Sequence, residues 1–337
     1  AITTAGAASS ANWVYTVTPD SADEAMTVVI AIGGATDSAG NTNAAASNNF
    51  GWTHDATAPT VVITSGDVST GGSHNGAATM IFTFSEEMTG IANGDFTFTN
   101  CAAGTFSVET ANTVFHQVCT PDTNGETVTV AVAVNKGTDP AGNNNAAATD
   151  FTFTYDTTVP TVSSIAVTGV TSGQYGNDAT YTVIVTASEA LEDAPTLTLG
   201  GGSVGDGAGS GGGSTTIWTY TFTPTSADQA VTIDVAAGAI TDAAGNDNTA
   251  AATQFAFTHD RTAPTITTVA VAGATEDGYG VASTYVVTIT PSETLGAVPT
   301  LTVTGGSITT AGAASSANYV YTVTPDSADE AMTVVIA

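Results

Sequence analysis

The sequence predicts an all-β protein made of several β-sandwich domains in tandem, and three observations carry that prediction. Thr, Val, Ala, Gly and Asn dominate, whereas Leu, Lys, Arg and Glu, the residues that fill surface helices, are scarce. Short apolar runs alternate with period two, the spacing of a half-buried strand. The same turn and linker sequences return at a nearly fixed spacing, which marks a repeat architecture.

The turns are Thr36-Asp37-Ser38-Ala39-Gly40-Asn41, Thr138-Asp139-Pro140-Ala141-Gly142-Asn143 and Thr241-Asp242-Ala243-Ala244-Gly245-Asn246. The linkers are Asp55-Ala56-Thr57-Ala58-Pro59, Asp156-Thr157-Thr158-Val159-Pro160 and Asp260-Arg261-Thr262-Ala263-Pro264. Successive linker aspartates lie 101 and 104 residues apart, the size of an immunoglobulin-like sandwich. The expected organisation is the C-terminal part of one domain at 1–55, whole domains at 56–156 and 157–260, and the N-terminal part of another at 261–337. Residues 2–31 reappear at 308–337 with Tyr319 in place of Trp13, so a second period of 306 residues spans three domains. The chain therefore reads as a window on a longer array. It starts at Ala1 without a leader, as expected of a mature or internal fragment. The partial end segments would continue in a longer chain or complement a neighbouring subunit by strand donation, and the 30 shared residues argue against donation.

Within residues 157–260 the alternation places strands near 161–168, 180–188, 195–200, 216–224, 230–236 and 251–258. Tyr181, Val183 and Val185 face inward on the second of these. Trp218, Tyr220 and Phe222 do so on a later one, matching Trp13, Tyr15 and Val17, and Phe255 and Phe257 on the last. This aromatic stripe reads as core, with a sugar-binding platform as the competing reading. Cys101 and Cys119 are the only cysteines and fall in one repeat. In a secreted protein such a pair favours a disulfide; the alternative is a buried thiol at Cys119, at the core position of Val17, Phe222 and Val323.

Charge narrows the function classes. Thirty-one acidic residues stand against Lys136 and Arg261, a formal net charge of −29. Such a surface repels phosphate backbones and anionic headgroups, which argues against nucleic-acid and membrane-surface binding and makes cations the expected partners. No apolar run is long enough to span a membrane. The near absence of basic residues leaves little for a trypsin-like protease to cut, consistent with an extracellular, cell-surface protein.

In Ser85-Glu86-Glu87, Ser188-Glu189 and Ser292-Glu293 at a strand end, in the Thr-Asp-x-x-Gly-Asn turn and in the Asp-x-Thr-x-Pro linker, the chain resembles the bacterial Ig-like repeats of giant surface adhesins and biofilm proteins. The resemblance covers essentially the whole chain. It implies all-β, tandem immunoglobulin-like Greek-key β-sandwich domains arranged end to end, with Ca²⁺ held near the domain junctions. The near absence of Lys and the Gly-rich insertion at 200–214 depart from that pattern.

The topology of such a sandwich leads independently to the same place. The loop after the second strand and the loop before the last strand return to the end where the chain enters. Asp156, Glu189 and Asp242 should therefore converge, as should Asp55 with Glu86, Glu87 and Asp139, and Asp260 with Glu293, which lacks a partner equivalent to Asp37. Carboxylates so placed without a basic neighbour repel one another or take up protons, and Ca²⁺, which accepts six to eight oxygens, resolves the conflict. The competing reading of Asp-x-x-Gly-Asn is a tight turn with an Asx-type hydrogen bond and a positive-φ glycine.

No enzymatic signature emerges. His54, His74, His116 and His259 lack metal-cluster spacing, and His54 and His259 share the linker position of Tyr155. Gly207-Ala208-Gly209-Ser210-Gly211-Gly212 fits a dinucleotide pattern but leads into a strand near Trp218, so it reads as a surface loop. The expected function is a structural stalk or filament, with neighbouring copies of the repeat as partners. The alternatives are a lattice-forming surface-layer protein and a glycan- or host-binding module using the 200–214 insertion.

Overall fold

The computed structural model describes residues 2–9, 12–205, 216–315, 318–329 and 331–336, and every regular element among them is a β-strand. The chain divides into two compact units, Ala1–Thr168 with Thr180–Thr223 and Thr232–Ala256, and Gly169–Ala179 with Pro224–Val231 and Phe257–Ala337.

The first unit contains the sandwich of residues 56–156. One sheet orders its strands Val61–Ser65, Ala78–Phe84, Val114–Pro121, Cys101–Thr110; the other orders Ser73–His74, Phe151–Tyr155, Thr127–Val132, Phe96–Thr99. In each sheet a pair of consecutive strands, Cys101–Thr110 with Val114–Pro121 and Thr127–Val132 with Phe151–Tyr155, lies beside a strand more distant in sequence, Ala78–Phe84 and Phe96–Thr99 respectively, which is the Greek-key, immunoglobulin-like arrangement. Period-two alternation turns Ala78, Met80, Phe82 and Phe84 inward from one strand and Val128, Val130 and Val132 from another, all buried in one core. Phe82 stacks on Phe96 with ring centroids 3.7 Å apart, and burying a side chain of this size stabilises the fold by roughly 1.5–3 kcal/mol. Cys101 and Cys119 are disulfide-bonded with Cα atoms 5.7 Å apart, on adjacent antiparallel strands of one sheet.

In residues 157–260 the expected aromatic stripe is core. Tyr181 pairs with Phe222, Val183 with Tyr220 and Val185 with Trp218, and all six are buried. The Tyr220 hydroxyl donates to Pro195 O at 2.6 Å, which satisfies its polar tip. Phe257 is buried but Phe255 is only half-buried, and the last strand runs Phe255–Asp260, not 251–258. Alanines at 250–252 and 256 blur the alternation there, so the pattern could not set the strand's start. In the second unit Tyr175–Gly176 forms a short parallel pairing with Thr258 and His259, too brief for a period to reveal. Most of the Gly-rich insertion, including the Gly207–Gly212 segment, lies outside the described residues.

The second unit also holds the sheet Ile266–Ala272, Tyr285–Pro291, Asn318–Pro325, Gly306–Ser315 over a core that includes Val287, Ile289, Tyr321 and Val323. The described residues of 1–55 form two two-stranded sheets. There the core equivalence read from sequence does not hold: Trp13 and Tyr15 are 64% and 53% exposed, because among the described residues no further strand covers that face. No helix among the described residues is long and apolar enough to cross a membrane.

Candidate metal centre

Three separate segments build each site, and the sequence dictates how each arrives. The first is the linker aspartate, which ends the last strand of one repeat; Asp55 closes Phe50–Asp55. Its carboxylate accepts the Thr57 amide at 3.1 Å, and Asp156 and Asp260 do the same for Thr158 and Thr262 at 2.9 and 3.1 Å. These are Asx turns that steer the chain out of the strand.

The second segment carries the strand-end glutamate. The Ser before it brackets the residue after the linker proline: Thr60 N donates to Ser85 Oγ at 3.0 Å while Ser85 N donates to Thr60 O at 2.9 Å. Ser188 and Ser292 repeat this with Thr161 and Thr265. Two residues beyond Glu86, Met88 enters the core, and Thr89 exchanges backbone hydrogen bonds with Thr138. In the next repeat Leu191 plays the part of Met88, and Glu192 N donates to Thr241 O at 2.9 Å. The glutamate loop is thereby zipped to the loop carrying the third segment.

That third segment is the Asp-x-x-Gly-Asn turn. Asp139 is 1% exposed and Asp242 2%. Asp139 Oδ1 accepts Gly142 N at 2.7 Å and Asn143 N at 2.8 Å, and Oδ2 accepts Asn143 Nδ2 at 2.8 Å. Asp242 is held in the same way by Ala244 N, Asn246 N and Asn246 Nδ2. Gly142 and Gly245 have φ of +100° and +90°, a conformation a side chain would strain. The tight-turn reading is thus correct as far as it goes, and it leaves Asp55 and Glu86 unexplained.

Among the described residues the outcome is two triads. One oxygen each from Asp55, Glu86 and Asp139 lie within 4.8 Å of one another, as do oxygens from Asp156, Glu189 and Asp242. Asn143 Nδ2 also donates to Asp55 O at 3.2 Å, and Asn246 Nδ2 to Asp156 O at 2.9 Å, tying turn to linker. Burial pushes the Glu86 carboxyl above the ordinary glutamate value, and the negative charges of Asp55, Asp139 and Asp23 push it further. Glu189 is raised by burial and then by Asp242 and Asp156. For Asp139 burial acts upward, but the hydrogen bonds from Asn143, Gly142 and Ala141 outweigh it and hold the carboxyl low.

Not every expected residue joins. Glu87 is exposed and outside the triad, because Met88 turns inward and leaves its predecessor facing solvent. Asp260 and Glu293 line one depression with Asp228, His259, Thr262 and Ser292, and Glu293 Oε1 is enclosed there without a hydrogen bond from the described residues. Asp37 is exposed and accepts hydrogen bonds from Ala39 and Asn41 of its own turn.

Two sets of residues were missed by the sequence reading. Asn145 is 2% exposed and fully engaged: Oδ1 accepts Lys136 N and Gly137 N at 2.7 and 3.1 Å, and Nδ2 donates to Ala133 O and Ala146 O at 2.9 and 2.8 Å. Asn248 does the same in the next repeat. The available signal was the second Asn of Gly-Asn-x-Asn, at 43, 145 and 248. The other set is Asp23, Asn124 and Asp228, which grip the linkers and were flagged only by a recurring Thr-Pro before them.

No curated protein matches the chain. Among solved structures it is similar to InvD of Yersinia pseudotuberculosis, at 13% identity over 82% of each chain with a TM-score of 0.34. The adhesin InvE of the same organism is matched at 13% identity over 58% of each chain with a TM-score of 0.25. Domains 4–9 of the surface layer protein SbsC are matched at 15% identity, over 82% of this chain and 46% of that one, with a TM-score of 0.26. At such identities and scores these likenesses say nothing about function. The bacterial Ig-like domain family matches residues 55–155 and 156–259, more than half of the sequence, and the chain belongs to that family.

Proposed function

We propose that this chain is a load-spanning segment of an extracellular stalk or filament on a bacterial surface, non-enzymatic, with its domain joints stiffened by Ca²⁺. The observation that carries the reading is the carboxylate triad, assembled twice from linker, strand end and turn in consecutive repeats. The donor set fits a hard cation: three carboxylates per site, and a glutamate on which every acting charge is negative. Asp55, Glu86 and Asp139 would hold one ion and Asp156, Glu189 and Asp242 another. The ion would cancel their repulsion and tie the linker to the domain that follows it. The acidic composition and the tandem family domains support a surface location.

Calorimetric titration of Ca²⁺ into the chain, paired with small-angle scattering in chelator and in Ca²⁺, tests the proposal. Saturable binding at the triads with an increased radius of gyration is expected. Absence of binding heat together with an unchanged radius would overturn it.

A further inference from the structure

The linkers are held on a second side, by groups that need no ion. Asp23 Oδ1 accepts Ala56 N at 3.2 Å, and Asp23 Oδ2 accepts the Thr57 hydroxyl at 2.6 Å. Asp228 repeats the pattern with Arg261 N at 3.0 Å and the Thr262 hydroxyl. At the linker between them Asn124 stands in the same place. Its Oδ1 accepts Thr157 N at 2.7 Å, while its Nδ2 donates to Thr158 Oγ1 at 3.1 Å. The amide keeps both contacts by reversing the polarity of one, since a threonine hydroxyl can donate or accept. Asp23 and Asp228 open the strands Asp23–Val28 and Asp228–Asp234, and Asn124 lies on the turn just ahead of Thr127–Val132; the pairing of Asp23 with Asp55 and of Thr127 with Thr154 shows that this is the strand beside the one leading into the linker.

We infer that Asp23, Asn124 and Asp228 are linker clamps: positioning residues that fix the two residues after the linker aspartate to the preceding repeat without any cation. Beyond the clamp the chain is taken over by the next grip, Ser85, Ser188 or Ser292, on the threonine after the proline. At the middle linker this leaves Val159 and Pro160 between the two. Pro160 has a fixed φ, and Val159, preceding it, is restricted to extended conformations. The joint therefore retains a defined path when the carboxylates are empty, and a cation would add stiffness to a linker already in position.

Amide hydrogen exchange at Thr157 in the full chain reads the clamp directly, because that amide donates to Asn124. In chelator the Thr157 amide is expected to exchange roughly tenfold more slowly than an unprotected amide, the factor matching a net hydrogen bond. Asn124→Ala should abolish that slowing, whereas Asn124→Asp, which restores the residue type of the other two clamps, should keep it. Glu189→Gln should leave it unchanged. If Asn124→Ala also releases the buried amides of Val128 and Val130, the domain has unfolded. Thr158→Val, which removes only the hydroxyl, then decides, with a several-fold faster Thr157 exchange expected. A Thr157 amide unprotected in chelator, or protected equally in Asn124→Ala and Thr158→Val, would overturn the clamp. Failure of Ca²⁺ to bind would remove the stiffening ion and leave this protection standing, so the two readings fail separately.

Discussion

Replacing Glu86 by glutamine should change stability in opposite directions with and without Ca²⁺. Without an ion, Glu86 faces Asp55 and Asp139 with carboxylate oxygens no more than 4.8 Å apart. Two unit charges at that distance repel by about 1 kcal/mol in water and about 3 kcal/mol at an effective dielectric of 20. Glu86 is partly exposed, so the screened end of that range applies, and relief from both neighbours amounts to about 1–2 kcal/mol. Glu86→Gln should therefore raise the melting temperature of residues 56–156 in chelator, by roughly 4–8 °C per kcal/mol for a domain of this size. In saturating Ca²⁺ the same variant loses a charged ligand. Each tenfold loss of affinity removes about 1.4 kcal/mol of ligand-derived stability, and a hundredfold loss, about 2.7 kcal/mol, outweighs the relieved repulsion, so with a loss of that size its melting point should fall below that of the wild type. Thermal melts of both proteins in both buffers give the four values required. A shift of the same sign in the two buffers would refute the reasoning, since it would mean that Glu86 contributes through packing and not through charge.

The raised carboxyls of Glu86 and Glu189 make stability in chelator depend on pH. Because the folded chain holds those protons more tightly, the associated stability is complete below the ordinary glutamate value and is lost as pH rises through the raised folded values. The lowered carboxyls of Asp23, Asp139 and Asp228 act oppositely, their contribution being lost as pH falls through the depressed values. Urea melts in chelator should accordingly be more stable near about pH 5 than near about pH 7, and Ca²⁺ should erase that difference. Asn145→Ala removes the four hydrogen bonds that the buried Asn145 side chain makes to backbone groups and should destabilise residues 56–156 by about 3 kcal/mol in denaturant titrations. Reducing the Cys101–Cys119 bridge, which closes a separation of 18 residues, should cost about 3 kcal/mol by the same assay.

How much of this could be read in advance follows from which interactions are local. The strands around Tyr181 and Trp218 declare themselves because alternation is a property of neighbouring residues. The triads were legible because each of their members sits in a repeated motif, and a Greek key determines which loops share an end. Glu87 was misplaced because Ser85-Glu86-Glu87-Met88 offers two carboxylates, and only the insertion of Met88 into the core settles which one turns toward the linker. The clamps were harder to see. Asp23 and Asp228 lie 34 residues from the threonines they hold, the middle repeat is one residue shorter after its Thr-Pro, and it carries Asn124 instead of Asp. A change of residue type combined with a length change hides an equivalence that hydrogen bonding preserves.

The two grips on each linker differ in what disturbs them, and the difference bears on how an array of such joints would respond to its surroundings. Neutral contacts such as Asn124 with Thr157 and Thr158 are indifferent to ionic strength and to acid, since an amide does not titrate. The carboxylate triads respond to protons, salt and divalent ions alike. With Asp23 in place of Asn124, the joint at Asp55 has a clamp that is itself charged and that adds to the field on Glu86. That joint should loosen in chelator more readily than the joint at Asp156, and should gain more from a cation, although the two share one backbone design. A chain in which every joint carried Asn at the clamp would show a uniform response; alternation of Asp and Asn grades it along the array.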